Sequence, residues 1–318
     1  AHFRGFEDVF DFAQILPDYI SFELGLEDLV QSTAESLLLA KRVFDASRPD
    51  YFFSIADRYE MLGFSIAALL SHVKIIHLEG GETSGSIDDR IRHSISKIAH
   101  LHFVASNEAR DVLISSGELA ETVHVVGSPS FDLIPEERDR KRLFKEMACE
   151  WGMTALRWES FVLISFHPNA YQETENSLDV AELAEAVVKI GMPFVWVLPN
   201  NEVTALQTER FLVKFFEPID IPHFFISALG IVDYCVLMSA SRCLIGNSSS
   251  GIREAGYLGV PSINVGARQT GRSRSNNVTD VPLSADDIVR AVEQTCVTPP
   301  VPDKKYGVGK AASIMLDV

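Results

Sequence analysis

Acidic and basic residues stand where short apolar runs of this sequence end. Asp57 and Arg58 follow the run Tyr51–Ile55, and Glu79 follows the run Val73–His77. If these runs are strands of a parallel sheet, the side chains meet at its carboxyl edge, where α/β folds bind ligands. Carboxylates held in different environments can divide the roles of general acid and general base. The alternative is that Asp57 only caps a helix and that its charged neighbours are solvated.

The region after Glu79 carries a dense set of ionisable residues. Two glycines come first, and then a helix begins whose isoleucines recur at helical spacing. Asp88 and Arg92 are four residues apart and share a face of this helix, as do Asp89 and His93. Such a density at a strand–helix junction is unusual for packing alone and indicates a site. A capping box with surface ion pairs is the alternative.

Small polar residues in the second half of the chain could bind an anion. The stretch Gly246–Gly251 follows an apolar run and precedes a helix, so its backbone N–H groups and serine hydroxyls could cradle a phosphate. Glu254, in the first turns of that helix, could reach a ribose diol. Arg268 and Arg272 flank a glycine-containing turn, and an arginine fork binds diphosphate oxygens bidentately. A serine-capped helix and two solvated arginines are the alternatives.

Other motifs in this half are less specific. His167 follows an apolar run, and a histidine there is as often structural as catalytic. Asn200 lies in Pro199-Asn200-Asn201, an ordinary turn signal. Neither the G-x-S-x-G nucleophile elbow nor a P-loop matches Gly246–Gly251, because Ser250 replaces the second glycine and no Gly-Lys-Ser/Thr follows.

The elements that must position these residues alternate along the chain. Short apolar runs are spaced by single amphipathic ones, which predicts βαβ units and parallel sheets. The predicted strands are Tyr51–Ile55, Val73–His77, His102–Ala105, Val123–Val126, Phe161–Ser165, Phe194–Val197, His223–Ile226, Cys243–Ile245 and Ser262–Val265. The predicted helices are Glu60–Leu70, Ile87–His100, Glu108–Ser116, Leu178–Ile190, Val203–Phe216, Val232–Ala240 and Gly251–Tyr257.

The length of 318 residues suits two domains. We expect a first Rossmann-like domain over 1–150, a second over 151–302, and a last segment, 303–318, that packs back on the first. The charged stretch Pro135–Arg157 reads as the connection between them. Because Leu26–Ala46 reads as a helix, the first βα unit of the front domain is expected to be absent from this sequence.

Composition excludes several classes of protein. Apolar residues make up 47% and charged residues 23%, as in a globular chain. The formal charge of −16 argues against nucleic acid as a partner. No apolar run is long enough to span a membrane. The 4 cysteines lack metal or disulfide spacing and favour a cytoplasmic location. We expect no metal and no redox cofactor.

With these residues in order and at nearly the same spacing, the chain from Asp50 to Gly309 resembles the hydrolysing UDP-N-acetylglucosamine 2-epimerases of sialic acid biosynthesis, including the epimerase domain of the bifunctional epimerase/ManNAc kinase. The matching residues are Asp57-Arg58, His77-x-Glu79-Gly80-Gly81-Glu82, Gly85-x-Ile87-Asp88-Asp89, Arg92-His93, His167-Pro168, Gly246-Asn247-Ser248-Ser249, Arg253-Glu254, Asn264, Gly266, Arg268-Gln269, Gly271-Arg272 and Tyr306-Gly307-x-Gly309. The sequence departs from the usual pattern at Ala56 and Ala267, where the family more often has Gly and Thr or Asp.

The resemblance implies an α/β, GT-B-like fold: two Rossmann-like domains with parallel sheets and a cleft between them. It implies that Ser248, Ser249 and Arg268 bind the diphosphate of a UDP-sugar and that Glu254 binds its ribose. The residues that match the family's catalytic carboxylates are Asp57, Glu79 and Asp88. Those that match residues lining the sugar and phosphates are His167, also a candidate catalytic group, with Arg58, Asp89, Arg92 and Asn200. A cytoplasmic homo-oligomer, a dimer or tetramer, is expected.

The activity implied is conversion of UDP-GlcNAc and water to ManNAc and UDP, by anti elimination of UDP and hydration of a 2-acetamidoglucal. Four alternatives stay open. The first is a hydrolysing 2-epimerase that acts on a UDP-diacetamido-trideoxyhexose, as in legionaminic acid synthesis. The second is a non-hydrolysing UDP-GlcNAc 2-epimerase. The others are a GT-B glycosyltransferase and a non-catalytic sensor of nucleotide sugars.

Overall fold

The computed structural model describes residues 29–318 except 56, 86–87, 168–172, 200–201, 228 and 296–299, with the side chains of 173–178 and 202–205 outside the description. The chain divides into two compact units. The front unit contains the described residues up to Asp132 together with Thr270–Ser273 and Lys305–Val318. The back unit contains Leu133–Gln269 and Arg274–Lys304.

The front unit is built on a parallel sheet of four strands in sequence order. Its strands are β1 (Tyr51–Ile55), β2 (Lys74–Leu78), β3 (Leu101–Val104) and β4 (Val123–Val125). Its helices before the chain leaves the unit are α1 (Leu29–Ser47), α2 (Tyr59–Leu70), α3 (Asp88–Ile98) and α4 (Asn107–Ser115). The parallel βαβ pattern predicted for this half is confirmed.

Apolar side chains on the central strands hold this sheet together. Ile75 and Val104 are fully buried, as expected for parallel strands covered on both faces. His77 and His102 lie opposite each other on β2 and β3, and both are buried. The His77 Nδ1 atom lies 3.0 Å from the hydroxyl of Ser96 on α3, so the polar ring has a partner inside the core.

The back unit is built on a six-stranded parallel sheet. Its strands are β5 (Val162–Ser165), β6 (Phe194–Val197), β7 (His223–Ile226), β8 (Cys243–Gly246), β9 (Ser262–Val265) and β10 (Val278–Val281). Its helices are α5 (Glu137–Glu150), α6 (Glu173–Ile190), α7 (Glu202–Phe216), α8 (Ile231–Ala240), α9 (Glu254–Leu258) and α10 (Ala285–Thr295). Large apolar cores cover both faces of this sheet and include the fully buried Phe161 and Trp196.

The strand order of the back sheet creates a topological switch point. From one edge the order is β10-β9-β8-β5-β6-β7, so the chain runs outward in one direction after β5 and in the other after β8. The connections that follow β5 and β8 therefore leave the sheet on opposite faces. In open α/β sheets, ligands bind in the crevice at the carboxyl ends of two such strands.

The sequence places α5 before the domain boundary at 150, whereas by its contacts α5 groups with the back unit. Phe144 and Met147 of this helix are buried in the core that also contains Phe161 and Leu237. Phe144 stacks on Phe161 with ring centroids 5.9 Å apart. An amphipathic helix buries its apolar stripe on the sheet that offers a matching apolar face.

The end of the chain belongs to the front unit. The last helix, α11 (Ala311–Leu316), begins where the Asp132 carboxylate accepts bonds of 2.8 Å from the backbone N–H groups of Ala311 and Ala312. Ala311 is buried against Leu78 and Phe103 of the front sheet. A carboxylate at a helix N-terminus satisfies its free N–H groups and its dipole, which explains where α11 begins.

Membrane-spanning helices are absent from the described part of the chain, since none of its helices is both long and apolar enough. Over the same residues, no group of three or more His, Cys, Asp or Glu side chains is placed to bind a metal ion. Cys149, Cys235 and Cys243 are free thiols.

Candidate functional site

Arg92 is the centre of the ionisable cluster on the front unit. Its side chain is 3% exposed, and one guanidinium nitrogen forms an ion pair with Asp57. The other donates to Asp89 Oδ1 at 2.6 Å and to the backbone carbonyl of Glu82 at 2.5 Å. The guanidinium therefore links the carboxyl end of β1, the start of α3 and the loop after β2.

Asp89 is held by that loop as well as by Arg92. Its carboxylate accepts bonds from the Ser84 N–H at 2.8 Å, the Ser84 hydroxyl at 2.8 Å and the Gly85 N–H at 2.7 Å. Burial opposes ionisation, but these bonds and the Arg92 charge outweigh it, so the pKa of Asp89 lies below its usual value. Asp89 is thus a charged anchor for the loop at neutral pH.

Glu79 occupies an unusual backbone position. It is the first residue after β2 and has φ +63°, in the left-handed region that residues with a Cβ rarely adopt. Its N–H donates to the Phe103 carbonyl at 2.8 Å, and its carboxylate accepts from the Ser128 hydroxyl at 3.1 Å. Left-handed non-glycine residues are concentrated at functional sites, where the surroundings enforce them.

The other predicted front residues lie beside this cluster in the sequence. Asp88 is the first residue of α3 and is partly buried. The Arg58 side chain is 64% exposed and forms an ion pair with Glu60. The structure therefore joins Asp57, Asp89 and Arg92 by direct contact, and it pairs Arg58 with Glu60.

On the back unit, Asn247 links the ends of β5 and β8, the two strands of the switch point. Its side-chain oxygen accepts from the His167 N–H at 2.7 Å, and its amide nitrogen donates to the His167 carbonyl at 2.9 Å. Arg268 and Gln269, which follow β9, both donate to the Asn247 carbonyl at 3.0 Å. The carboxyl ends of β5, β8 and β9 therefore meet at Asn247.

His167 lies close to a positive charge. Burial of its imidazole, together with the nearby Arg268 guanidinium, lowers the pKa of His167 to about 4. At neutral pH the ring is uncharged and can donate one hydrogen bond and accept another. It can orient a polar group of a ligand but adds no charge to the site.

A buried tyrosine contacts the serine turn that follows β8. The Tyr234 hydroxyl lies 2.7 Å from the Ser250 hydroxyl, which donates to the Ser248 hydroxyl at 2.9 Å. Burial raises the pKa of Tyr234 to about 12, so the phenol stays protonated. Ser248 and Ser249 are partly exposed at this turn, and Glu254 is buried at the start of α9. The turn is therefore a preorganised set of small donors, as an anion site requires.

The role of Tyr234 and the pairing of Arg272 were not predicted from the sequence. Tyr234 lies in the predicted helix Val232–Ala240, and the signal was a phenol in an apolar run, which must find a partner when buried. From the sequence, Arg272 was either a candidate for binding a diphosphate or a solvated loop arginine, whereas in the structure it forms a buried ion pair with Glu82. Burial explains this pairing, because a charge inside the fold must be compensated by an opposite charge. Asn200 lies outside the described residues.

Comparisons with known proteins agree on one family. A family model described as UDP-N-acetylglucosamine 2-epimerase matches residues 6–318. The chain is 31% identical over 261 residues to a UDP-N-acetylglucosamine 2-epimerase of Neisseria meningitidis serogroup B, covering 82% of this chain and 67% of the relative. It is 29% identical over 286 residues to a UDP-N,N'-diacetylbacillosamine 2-epimerase (hydrolyzing) of Legionella pneumophila, covering 89% and 74%.

Solved structures show the same fold. The Neisseria meningitidis UDP-GlcNAc 2-epimerase bound to UDP-GlcNAc has a TM-score of 0.76 at 18% identity, covering 93% of this chain and 83% of that one. The Methanocaldococcus jannaschii UDP-GlcNAc 2-epimerase in complex with UDP-GlcNAc and UDP has a TM-score of 0.75 at 16% identity, covering 92% and 82%. The predicted α/β, GT-B-like fold is confirmed. The family match along nearly the whole chain and the 31% relative agree with the motifs, and the chain belongs to the UDP-N-acetylglucosamine 2-epimerase family.

Proposed function

We propose that the chain is a hydrolysing UDP-GlcNAc 2-epimerase, which converts UDP-GlcNAc and water to ManNAc and UDP. The observation that carries this proposal is the Arg92 cluster. A buried guanidinium keeps the Asp57 carboxylate in place at the carboxyl end of β1, and Glu79 stands at the matching end of the neighbouring β2. Carboxylates at adjacent strand ends are what proton removal and return at a sugar carbon require.

The proposed chemistry has two steps. A carboxylate removes the proton from sugar C2 while the C1–O bond to UDP breaks on the opposite face, leaving 2-acetamidoglucal and UDP. Water then adds across the double bond: its oxygen bonds to C1, and a proton returns to C2 from the other face. The product is ManNAc. We assign this acid–base work to Asp57, Glu79 and Asp88 as a set, without dividing the roles.

The back unit is proposed to bind the leaving group. Ser248, Ser249 and Arg268 would contact the diphosphate, with Glu254 on the ribose. The support is their position at the switch point, where Arg268 is fixed by its bond to the Asn247 carbonyl. Donors fixed in advance stabilise the charge that develops as UDP departs without having to reorganise. His167, Arg58, Asp89, Arg92 and Asn200 are proposed to line the rest of the site.

The test is an assay of the purified chain with UDP-GlcNAc that follows UDP and free ManNAc. Equal amounts of both products, formed without an acceptor, are expected. A non-hydrolysing epimerase would instead return UDP-ManNAc, and a glycosyltransferase would need an acceptor. A sensor would show a ligand-raised melting temperature without turnover.

A second candidate substrate is UDP-N,N'-diacetylbacillosamine. The observation that favours it is that relatives from Legionella pneumophila and Campylobacter jejuni, 29% and 32% identical to this chain, carry that sugar and the word hydrolyzing in their names. Assays of both sugars at equal concentrations decide between them. The preferred substrate is the one with the higher kcat/KM.

A further inference from the structure

A four-residue segment of the chain, Thr270–Ser273, leaves the back unit and packs within the front unit. The Gly271 N–H donates to the Ser84 carbonyl at 3.2 Å. The Tyr306 hydroxyl donates to the Ser273 carbonyl at 2.6 Å. A Cβ on Gly271 would lie 3.0 Å from the Thr83 side chain, so the segment runs tightly against the loop after β2.

The segment also forms a buried ion pair, between Arg272 and Glu82. Their side chains are 8% and 6% exposed. A buried ion pair stabilises a fold little more than apolar side chains of similar size would, because both charges lose their hydration. We therefore explain this pair by the part of the structure that it holds in place.

The ion pair between Arg272 and Glu82 holds the loop after β2, which contains an unfavourable backbone conformation. Between β2 and α3, Glu79, Gly81 and Gly85 have φ of +63°, +77° and +95°. A Cβ on Gly81 would come within 2.2 Å of the Ala109 carbonyl. The two glycines adopt such φ values readily, but Glu79 carries a Cβ and does not, so contacts from elsewhere in the fold must hold the loop at this residue.

The same loop positions the carboxylates. The Glu82 side chain pairs with Arg272, while the Glu82 carbonyl accepts from Arg92, which pairs with Asp57 and Asp89. A shift of Glu82 therefore moves the guanidinium on which both carboxylates depend. The path from Arg272 to Asp57 runs through one side chain, one carbonyl and one guanidinium.

We propose that Arg272 and Glu82 are positioning residues, which set the geometry of the carboxylates through the loop after β2 without touching the substrate. This inference rests on the proposed function, because Asp57 is one of the carboxylates assigned to proton transfer at C2. It also explains why Arg272, four residues after the proposed diphosphate ligand Arg268 in the sequence, is buried and paired with Glu82.

The experiment compares Arg272→Gln, Glu82→Gln and the double variant with the wild type. Arg290→Gln is the matched control. The Arg290 side chain is 65% exposed, forms an ion pair with Asp287, and is distant in the sequence from Glu82 and Arg272. Calorimetric titration with UDP counts the folded binding sites, and kcat is expressed per site. Each single variant should lower kcat per site by about 100-fold, since small misplacements of reacting groups have effects of that size. The Kd for UDP should stay within about threefold of wild type.

The double variant separates positioning from folding. With no lone buried charge, it should regain a Tm above that of either single variant while its kcat per site stays low. It also carries the test if a single variant does not fold. A kcat per site within about threefold of the Arg290→Gln control would overturn the proposal, and so would a double variant that regains kcat together with Tm. A wild type that turns over neither UDP-sugar would instead refute the proposed function.

Discussion

At the scale of single residues, the proposed chemistry depends on which carboxylates are held in place and by which partners. Asp57 and Asp89 share the guanidinium of Arg92, which is almost completely buried. Glu79 is fixed by its left-handed backbone and by Ser128. Asp57 and Glu79 therefore differ in their surroundings, which is the condition for dividing acid and base roles among carboxylates.

Removing a carboxylate should abolish most turnover. Asp57→Asn and Glu79→Gln should each lower kcat by about 10²- to 10⁴-fold, because a positioned acid or base contributes that much. UDP binding should be unchanged, as the back unit is proposed to bind it. Steady-state kinetics on UDP-GlcNAc measure the effect, with Asp45→Asn as the control, since Asp45 is an exposed partner of Lys41. Either variant with wild-type turnover would remove that residue from the proposed set.

Arg268 should affect the chemical step more than a surface arginine does. Arg268→Gln removes a charged donor from the proposed diphosphate site, and the barrier should rise by about 2.7–4 kcal/mol, as for the loss of one preorganised donor. Single-turnover rates of UDP release, measured beside Arg290→Gln, give this number. A rate equal to that of the control would place the diphosphate elsewhere.

The lowered pKa of His167 predicts that the stability of the fold depends on pH. The pKa of His167 is about 4 in the folded protein and 6.5 for an ordinary histidine, so below pH 6.5 the unfolded chain binds more protons. The stability due to this residue is therefore full above pH 6.5 and is lost as the pH falls to about 4. The loss is on the order of 2 kcal/mol, discounted because the ring is partly exposed.

The comparison is the difference in Tm between pH 7 and pH 5 for the wild type and for His167→Gln. The variant lacks the titrating ring, so its Tm should fall less on acidification. Equal falls in both proteins would mean that the His167 imidazole titrates normally in the fold.

At the scale of secondary structure, the ends of strands β5 and β8 must lie unusually close together. Gly246 ends β8 with φ +147°, and a Cβ there would lie 1.9 Å from the Ser165 carbonyl. This close approach lets Asn247 bond to both backbone groups of His167. The glycine is therefore part of the geometry of the site.

Gly246→Ala should destabilise the back unit strongly, because a Cβ clash adds to backbone strain. Gly266→Ala is the matched control: φ is +76°, but nothing lies within 4 Å of the added Cβ. We expect a loss of about 1 kcal/mol for the control and at least about twice that for Gly246→Ala. Thermal unfolding measures both, and equal Tm values would contradict the close approach of β5 and β8.

Much of this secondary structure could be predicted from the sequence. Strands such as Phe194–Val197 are continuous apolar runs, as both-side burial requires, and their predicted bounds match those of the structure. By contrast, β10 (Val278–Val281) and α10 (Ala285–Thr295) were missed. β10 is a short, half-exposed edge strand with an aspartate in it, so its pattern is weak. The predicted helix Gly251–Tyr257 is a 3₁₀ turn, Ser249–Gly251, followed by α9.

The site was predictable to the extent that its residues come within two positions of the end of a strand. Asp57, Glu79, His167 and Ser248 all do so, and parallel sheets gather such positions at one edge. The pairing of Arg272 with Glu82 could not be predicted, because it joins positions 190 residues apart, counting from 82 to 272, and depends on tertiary packing alone. For Tyr234 the signal was a phenol in an apolar run, but its partner Ser250 is set by tertiary packing.

At the scale of the whole molecule, the negative net charge opposes the proposed binding of an anionic substrate. The chain carries a formal charge of −16, which repels an anionic substrate at long range. Binding of a UDP-sugar must therefore depend on local features, such as the serine turn and Arg268 at the switch point. The two sheets each present their candidate residues at the carboxyl ends of strands, as α/β folds do.

The central claim is that this chain eliminates UDP and then hydrates the glycal. The most direct measurement is turnover of UDP-GlcNAc in heavy water, with the products analysed by NMR and mass spectrometry. The account predicts UDP and free ManNAc in equal amounts, with a solvent deuteron at C2 of the sugar. ManNAc that keeps the original proton at C2 would contradict it.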